Sequence, residues 1–166
     1  MHKKTVYIET SIVSYLTARP TADLLAAAWQ KVTLDWWEMR RRAFELYTSE
    51  VTVQEARRGD REASARRLAA LADIPLLPIP HEASALASAL LEGRALPAKA
   101  ANDALHVAVA AVQGINYLLT WNYRHIDNAE TKPVIQDVCA RQGHAAPEIC
   151  TPRELMGGLE DVGRGD

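Results

Sequence analysis

At 166 residues the chain is long enough for one domain with a substantial core, and a formal charge of −2 leaves no global field that would draw it to nucleic acid or to a membrane surface. No run is long and apolar enough to span a bilayer, and the opening MHKKTVYIE begins a strand with no leader-like apolar stretch, so a cytoplasmic protein without a membrane role is expected. Cys139 and Cys150 are too far apart for a CxxC pair and have no clustered histidines, which argues against zinc and fits a reducing compartment.

Strand-like runs alternate with helical ones. The first strand is expected over residues 5–8, ending at Glu9. A helix over 22–42 carries Leu25, Trp29, Val32 and Trp36 at helical spacing, a stripe that reads as core packing. Leu34 and Trp37 fall off that stripe and offer apolar surface to a partner or a second copy. Next come a strand over 44–48, a helix over 51–72, a strand over 76–79 and a helix over 82–92. An Ala-rich helix over 98–113, a strand over 117–120, a helix over 133–142 and a weak strand over 148–150 complete the series. This alternation predicts an α/β fold, a three-layer α/β/α sandwich around a mainly parallel sheet. Residues 1–156 are expected to form one domain, and 157–166 a polar, Gly-rich tail that frays.

Positive charge is mostly arginine. Arg40, Arg41 and Arg42 are consecutive, and Arg57, Arg58, Arg61, Arg66 and Arg67 share one segment. A solvated helix face is the plainer explanation. The sharper one is a phosphate-binding flank, because planar guanidinium matches phosphate oxygens.

Four polar residues sit where chemistry is expected. Glu9 ends the first strand, Glu55 lies on the helix after the second, Asp103 lies on the Ala-rich helix, and Asn122 follows the strand at 117–120. In a parallel sheet the C-terminal strand ends share one edge, where ligands bind. Glu9 and Asn122 meet there if their strands are neighbours, with Glu55 and Asp103 leaning in from flanking helices. Acids so gathered repel one another unless a cation sits among them, and oxygen ligands suit Mg²⁺ or Mn²⁺. Each residue has a structural alternative: Glu9 as a helix-cap acid, Glu55 as a surface acid paired with Arg58 or Arg61, Asp103 paired with Lys99 or His106, and Asn122 as a turn residue. Asp103 stands out because an unpartnered carboxylate in an apolar helix costs several kcal/mol.

ETSIVSYL, SEVTVQEA, NDALHVAVA and LLTWNYRHI, in this order and spacing, resemble the PIN domain, and most of all its VapC-like branch, the toxin half of bacterial and archaeal toxin–antitoxin pairs. The similarity runs nearly to Met156. The resemblance implies a Mg²⁺-dependent ribonuclease, with Glu9, Glu55, Asp103 and Asn122 as catalytic positions and Glu9, Glu55 and Asp103 as metal ligands. It also implies Ser11 and Thr120 as supporting hydroxyls, an RNA substrate, a small antitoxin partner and a homodimer. The chain departs from the family pattern at two positions: Glu9 and Asn122 stand where acids, usually Asp at the first, are found. Three carboxylates in place of four weaken a second metal more than the first, with Asp127 as a substitute charge. A binding module with weak or no catalysis, and a phosphotransferase with an acid after its first strand, are the competing expectations.

Overall fold

Four short strands form the centre of the computed structural model, which describes residues 2–157. They are β1 (Lys4–Ile8), β2 (Phe44–Tyr47), β3 (Tyr117–Leu119) and β4 (Glu148–Cys150). All pair in parallel in the order β2-β1-β3-β4, with Val6 opposite Tyr117 and Ile8 opposite Leu119. The helices are α1 (Thr10–Thr17), α2 (Leu24–Met39), α3 (Glu50–Ala56), α4 (Arg61–Leu71), α5 (His81–Glu92), α6 (Ala101–Val112) and α7 (Lys132–Arg141).

A parallel sheet is covered on both faces, so its strands alternate between two cores. Tyr7, Leu118 and Ile149 join Leu86 and Leu90 of α5, Val107 of α6 and Ile135 of α7 in one core. Val6, Ile8 and Leu119 join Ile12 and Val13 of α1 and Trp36 of α2 in the other. These form the three α/β/α layers that the alternation of elements predicts. Each fully buried Ile or Leu side chain contributes about 1.5–3 kcal/mol. Cys139 and Cys150 are free and buried in opposite cores. Burial pushes their thiols up to about 11 and about 12, so both stay protonated. Among the described residues no helix is long and apolar enough to cross a membrane.

The structure departs from expectation in four places. Helix α1 was not foreseen: Thr10, Ile12, Val13 and Thr17 are β-branched and disfavour a helix locally, but Ile12 and Val13 are fully buried and packing overrides propensity. The helix expected over 51–72 breaks into α3 and α4. Gly59 takes a φ of +84°, and the Asp60 carboxylate accepts from the Ala63 N–H at 2.9 Å to start α4. The strand expected over 76–79 is reduced to one bridge between Thr48 and Leu76, because Pro75, Pro78 and Pro80 offer no N–H to a ladder. On α2, Trp36 is fully buried but Leu25 is 59% exposed, so the apolar stripe leaves the core at its N-terminal end. Residues 158–166, which hold all but the first position of the expected tail, lie outside the described residues.

Candidate active site

Pairing of β1 with β3 carries the chain ends after both strands to one edge. The Glu9 N–H donates to the Leu119 carbonyl at 3.2 Å, extending the ladder one residue beyond the strands. Glu9 caps α1, its Oε2 accepting from the Ser11 N–H at 2.6 Å, and it is buried at 4% exposure. Burial pushes its carboxyl above the usual range, and the charge of Glu55 adds to this, against the pull of His106 and Ser11.

Glu55 is tied to α1 and α6. Its Oε1 accepts from the Thr10 hydroxyl at 2.7 Å and from His106 Nε2 at 2.5 Å. Burial works to raise this carboxyl, but His106, Thr10 and Asn102 outweigh it and hold it low. His106 is 1% exposed. Desolvation opposes its charge, yet Tyr7, Glu55 and Glu9 overcome it and push the imidazole up to about 10. Its Nε2 faces Glu55, and its Nδ1 shares a hydrogen bond of 2.7 Å with the Tyr7 hydroxyl, which shares another of 2.6 Å with Ser49 Oγ. The Glu55 alternative of a surface pair with Arg58 or Arg61 therefore gives way to a buried histidine.

Asp103 occupies the first turn of α6, and the buried stretch of that helix starts one residue later at Ala104. Its partner is neither Lys99 nor His106. The Asp103 Oδ2 accepts from His125 Nδ1 at 2.8 Å, each side chain being 18% exposed. Glu55, Asp103 and His125 line one open cleft of about 420 Å³ together with Lys99 and Asn102. The carboxylates of α3 and α6 thus face a common space that also holds two basic groups.

Asn122 follows β3 and shapes its turn. Its Oδ1 accepts from the His125 N–H at 2.9 Å, and its own N–H donates to Thr120 Oγ1 at 3.0 Å. Ser11 Oγ accepts from the Trp121 N–H at 2.8 Å and lies 3.4 Å from Thr120 Oγ1, bracing the ends of β1 and β3. Asp127, the expected substitute charge, is instead paired with Lys132 at 2.6 Å.

Among the described residues no group of three or more His, Cys, Asp or Glu side chains stands close enough together to hold a metal ion. The structure brings Glu55 to Glu9 through His106, and Glu55 to Asp103 through the cleft. It places Asn122 in the supporting turn. Three contributors were not singled out from the sequence. Helical spacing presents His106 only as a neighbour of Asp103 on its own helix, and Thr10 and His125 lie unmarked inside the segments that carry Glu9 and Asn122.

A family model of the PIN domain matches residues 6–130 of the chain. No curated protein matches it. The fold is similar to that of a chain in the structure of VapBC2 from Rickettsia felis bound to a DNA fragment from their promoter, with a TM-score of 0.57 at 13% identity, covering 89% of this chain and 98% of that one. A chain of VapBC-5 from Mycobacterium tuberculosis, a member of the VapBC family of toxin-antitoxin systems, overlaps more loosely. Its TM-score is 0.44 at 21% identity, covering 76% of this chain and 94% of that one.

Proposed function

The chain belongs to the PIN-domain family, and on that premise we propose that it is a Mg²⁺-dependent endoribonuclease of the VapC toxin type, restrained by a small antitoxin protein. The observation that carries the reading is the cleft in which Glu55 and Asp103 open side by side, at the edge where β1 and β3 end together. Glu9 lies within electrostatic reach of Glu55. The donor set fits a hard divalent cation in kind, being carboxylate oxygen without thiolate, and Glu9 is an acid whose ionised form a cation would favour. To hold Mg²⁺ or Mn²⁺, Glu9, Glu55 and Asp103 would have to draw closer together than they stand here, and Glu55 and Asp103 would have to release His106 and His125. When bound, the ion supplies Lewis-acid activation of water for phosphodiester hydrolysis.

The chain's own residues have separate tasks. The positive charge of His106 offsets part of the repulsion between Glu9 and Glu55 at a buried edge. His125 orients Asp103, and Lys99 provides a cation for a phosphate oxygen in the same cleft. Ser11, Thr120 and Asn122 hold the two strand ends in register with the cleft. A homodimer and a cytoplasmic setting belong to the same proposal.

Incubation of labelled single-stranded RNA with Mg²⁺, Mn²⁺ or EDTA tests it. Cleavage is expected with either cation and not with EDTA, and it is expected to vanish in D103N. Cleavage indifferent to EDTA would overturn metal dependence. RNA binding without cleavage would favour a second reading, a PIN module with a silent site, which the engagement of the Asn122 Oδ1 by the His125 backbone supports.

A further inference from the structure

We propose that a cleft between α1 and α4, outside the carboxylate site, binds the phosphate backbone of single-stranded RNA through Arg66 and Arg67. The proposal rests on the ribonuclease reading and names where the substrate strand runs. The cleft measures about 590 Å³ and is lined by Ser14, Thr17, Arg19, Arg66 and Arg67 together with two acids, Asp60 and Glu62. The two acids have other partners: Asp60 caps α4 at Ala63, and Glu62 pairs with Arg19 at 2.8 Å. Arg66 donates from Nε to the Thr17 carbonyl at 2.9 Å. Arg67 donates from Nε to the Ala56 carbonyl at 3.1 Å and from Nη2 to the Arg58 carbonyl at 2.5 Å. All three acceptors are neutral. Among the described residues neither guanidinium forms an ion pair, so two positive charges are held in place without a carboxylate bound to either.

Fixed orientation is what separates this pair from the solvated arginines of the same segment. Each Nε is anchored to a carbonyl, which aims the remaining N–H donors and removes much of the entropy cost of gripping an anion. Helix α1 links this cleft to the acids. Thr10 donates to Glu55, while Ser14 and Thr17 on the following turns line the arginine cleft. Seven residues at 1.5 Å per residue put about 10 Å between Thr10 and Thr17. Helix α1 thus reaches from the acids to the arginine cleft, the path along which one RNA strand would run. An isolated acidic side chain has no comparable reason to span both places.

The test uses the full-length D103N protein, so that RNA is bound but not cut, and a short labelled single-stranded RNA titrated at several salt concentrations. R66Q/R67Q places an amide N–H donor where each Nε met the Thr17 and Ala56 carbonyls, and removes both charges. The slope of log affinity against log salt is expected to flatten by about 1.4, two phosphate contacts at about 0.7 each. R66K/R67K, which restores charge, is expected to recover most of the slope. R58Q/R61Q removes two exposed charges that do not line the cleft and is expected to change the slope much less. Equal slopes in D103N with and without R66Q/R67Q, in proteins with the same Tm, would overturn the cleft, as would an equal effect from R58Q/R61Q. Tighter binding of polyglutamate than of RNA, with the same arginine dependence, would overturn it in favour of an acidic protein partner. If the protein with Asp103 intact cleaves RNA while the arginine variants bind normally, only the cleft is wrong. If that protein neither cleaves nor binds RNA, the ribonuclease reading itself has failed.

Discussion

His125 holds Asp103 by a single hydrogen bond, Nδ1 to Oδ2 at 2.8 Å, and so joins the turn after β3 to the first turn of α6. The Asn122 side chain in turn holds the His125 backbone. Orientation of the Asp103 carboxylate therefore depends on residues some 20 positions away in sequence, and the first prediction tests that dependence.

Replacing His125 by alanine is expected to lower RNA cleavage about 10–100-fold, the usual range when the partner that orients a metal-site carboxylate is lost. D103N is expected to lose at least about 100-fold, with an unchanged far-UV spectrum. Cleavage assays and circular dichroism on both proteins decide the matter. Wild-type rates in H125A would show that Asp103 needs no orienting partner.

Asn122 is predicted to have two separable roles. N122A leaves the His125 N–H without its acceptor and should reduce stability by about 1 kcal/mol in denaturant melts. N122D keeps the acceptor and adds a charge where the proposed site has a neutral amide. Its Mg²⁺ affinity should rise roughly tenfold in calorimetric titration, as a close charge at the protein surface contributes on the order of 1 kcal/mol or more. Equal Mg²⁺ affinity would confine position 122 to its turn.

The imidazolium of His106 makes stability depend on pH. Its folded-state pKa is pushed up to about 10 from an ordinary 6.5, so the folded state binds the extra proton more tightly than the unfolded chain does. That stabilisation is fully present below about pH 6.5 and is lost as pH rises through about 10. H106Q keeps a donor for Glu55 but no charge. The Tm difference between wild type and H106Q should be largest near pH 6 and should shrink steadily toward about pH 10. A difference independent of pH would mean that His106 is buried neutral. H106A, which strips Glu9 and Glu55 of their counter-charge, should cost about 3–5 kcal/mol.

Gly59 separates α3 from α4 through its φ of +84°, and a Cβ built there meets nothing within 4 Å. The cost of G59A is therefore purely one of backbone conformation, about 1–2 kcal/mol. Urea titration should show a lower midpoint with an unchanged m-value. An unchanged midpoint would mean that the junction relaxes to another turn.

Much of the fold follows from periodicity and punctuation that the amino-acid order carries on its face. Runs such as TVYI and YLL, set between helical stretches, demand a parallel sheet covered on both sides, and adjacency of β1 and β3 then brings Glu9 and Asn122 to one edge. What local pattern could not decide was every choice made by distant packing. Helix α1 exists because Ile12 and Val13 find a core, against the preference of four β-branched residues. His106 meets Glu55 across α3 and α6, and Asp103 meets His125 across α6 and the β3 turn, although helical spacing suggested His106 as the mate of Asp103. Side chains three apart on a helix can touch, but a buried charge takes whichever partner the tertiary fold brings closest with its donors aligned, because unpaired burial costs several kcal/mol.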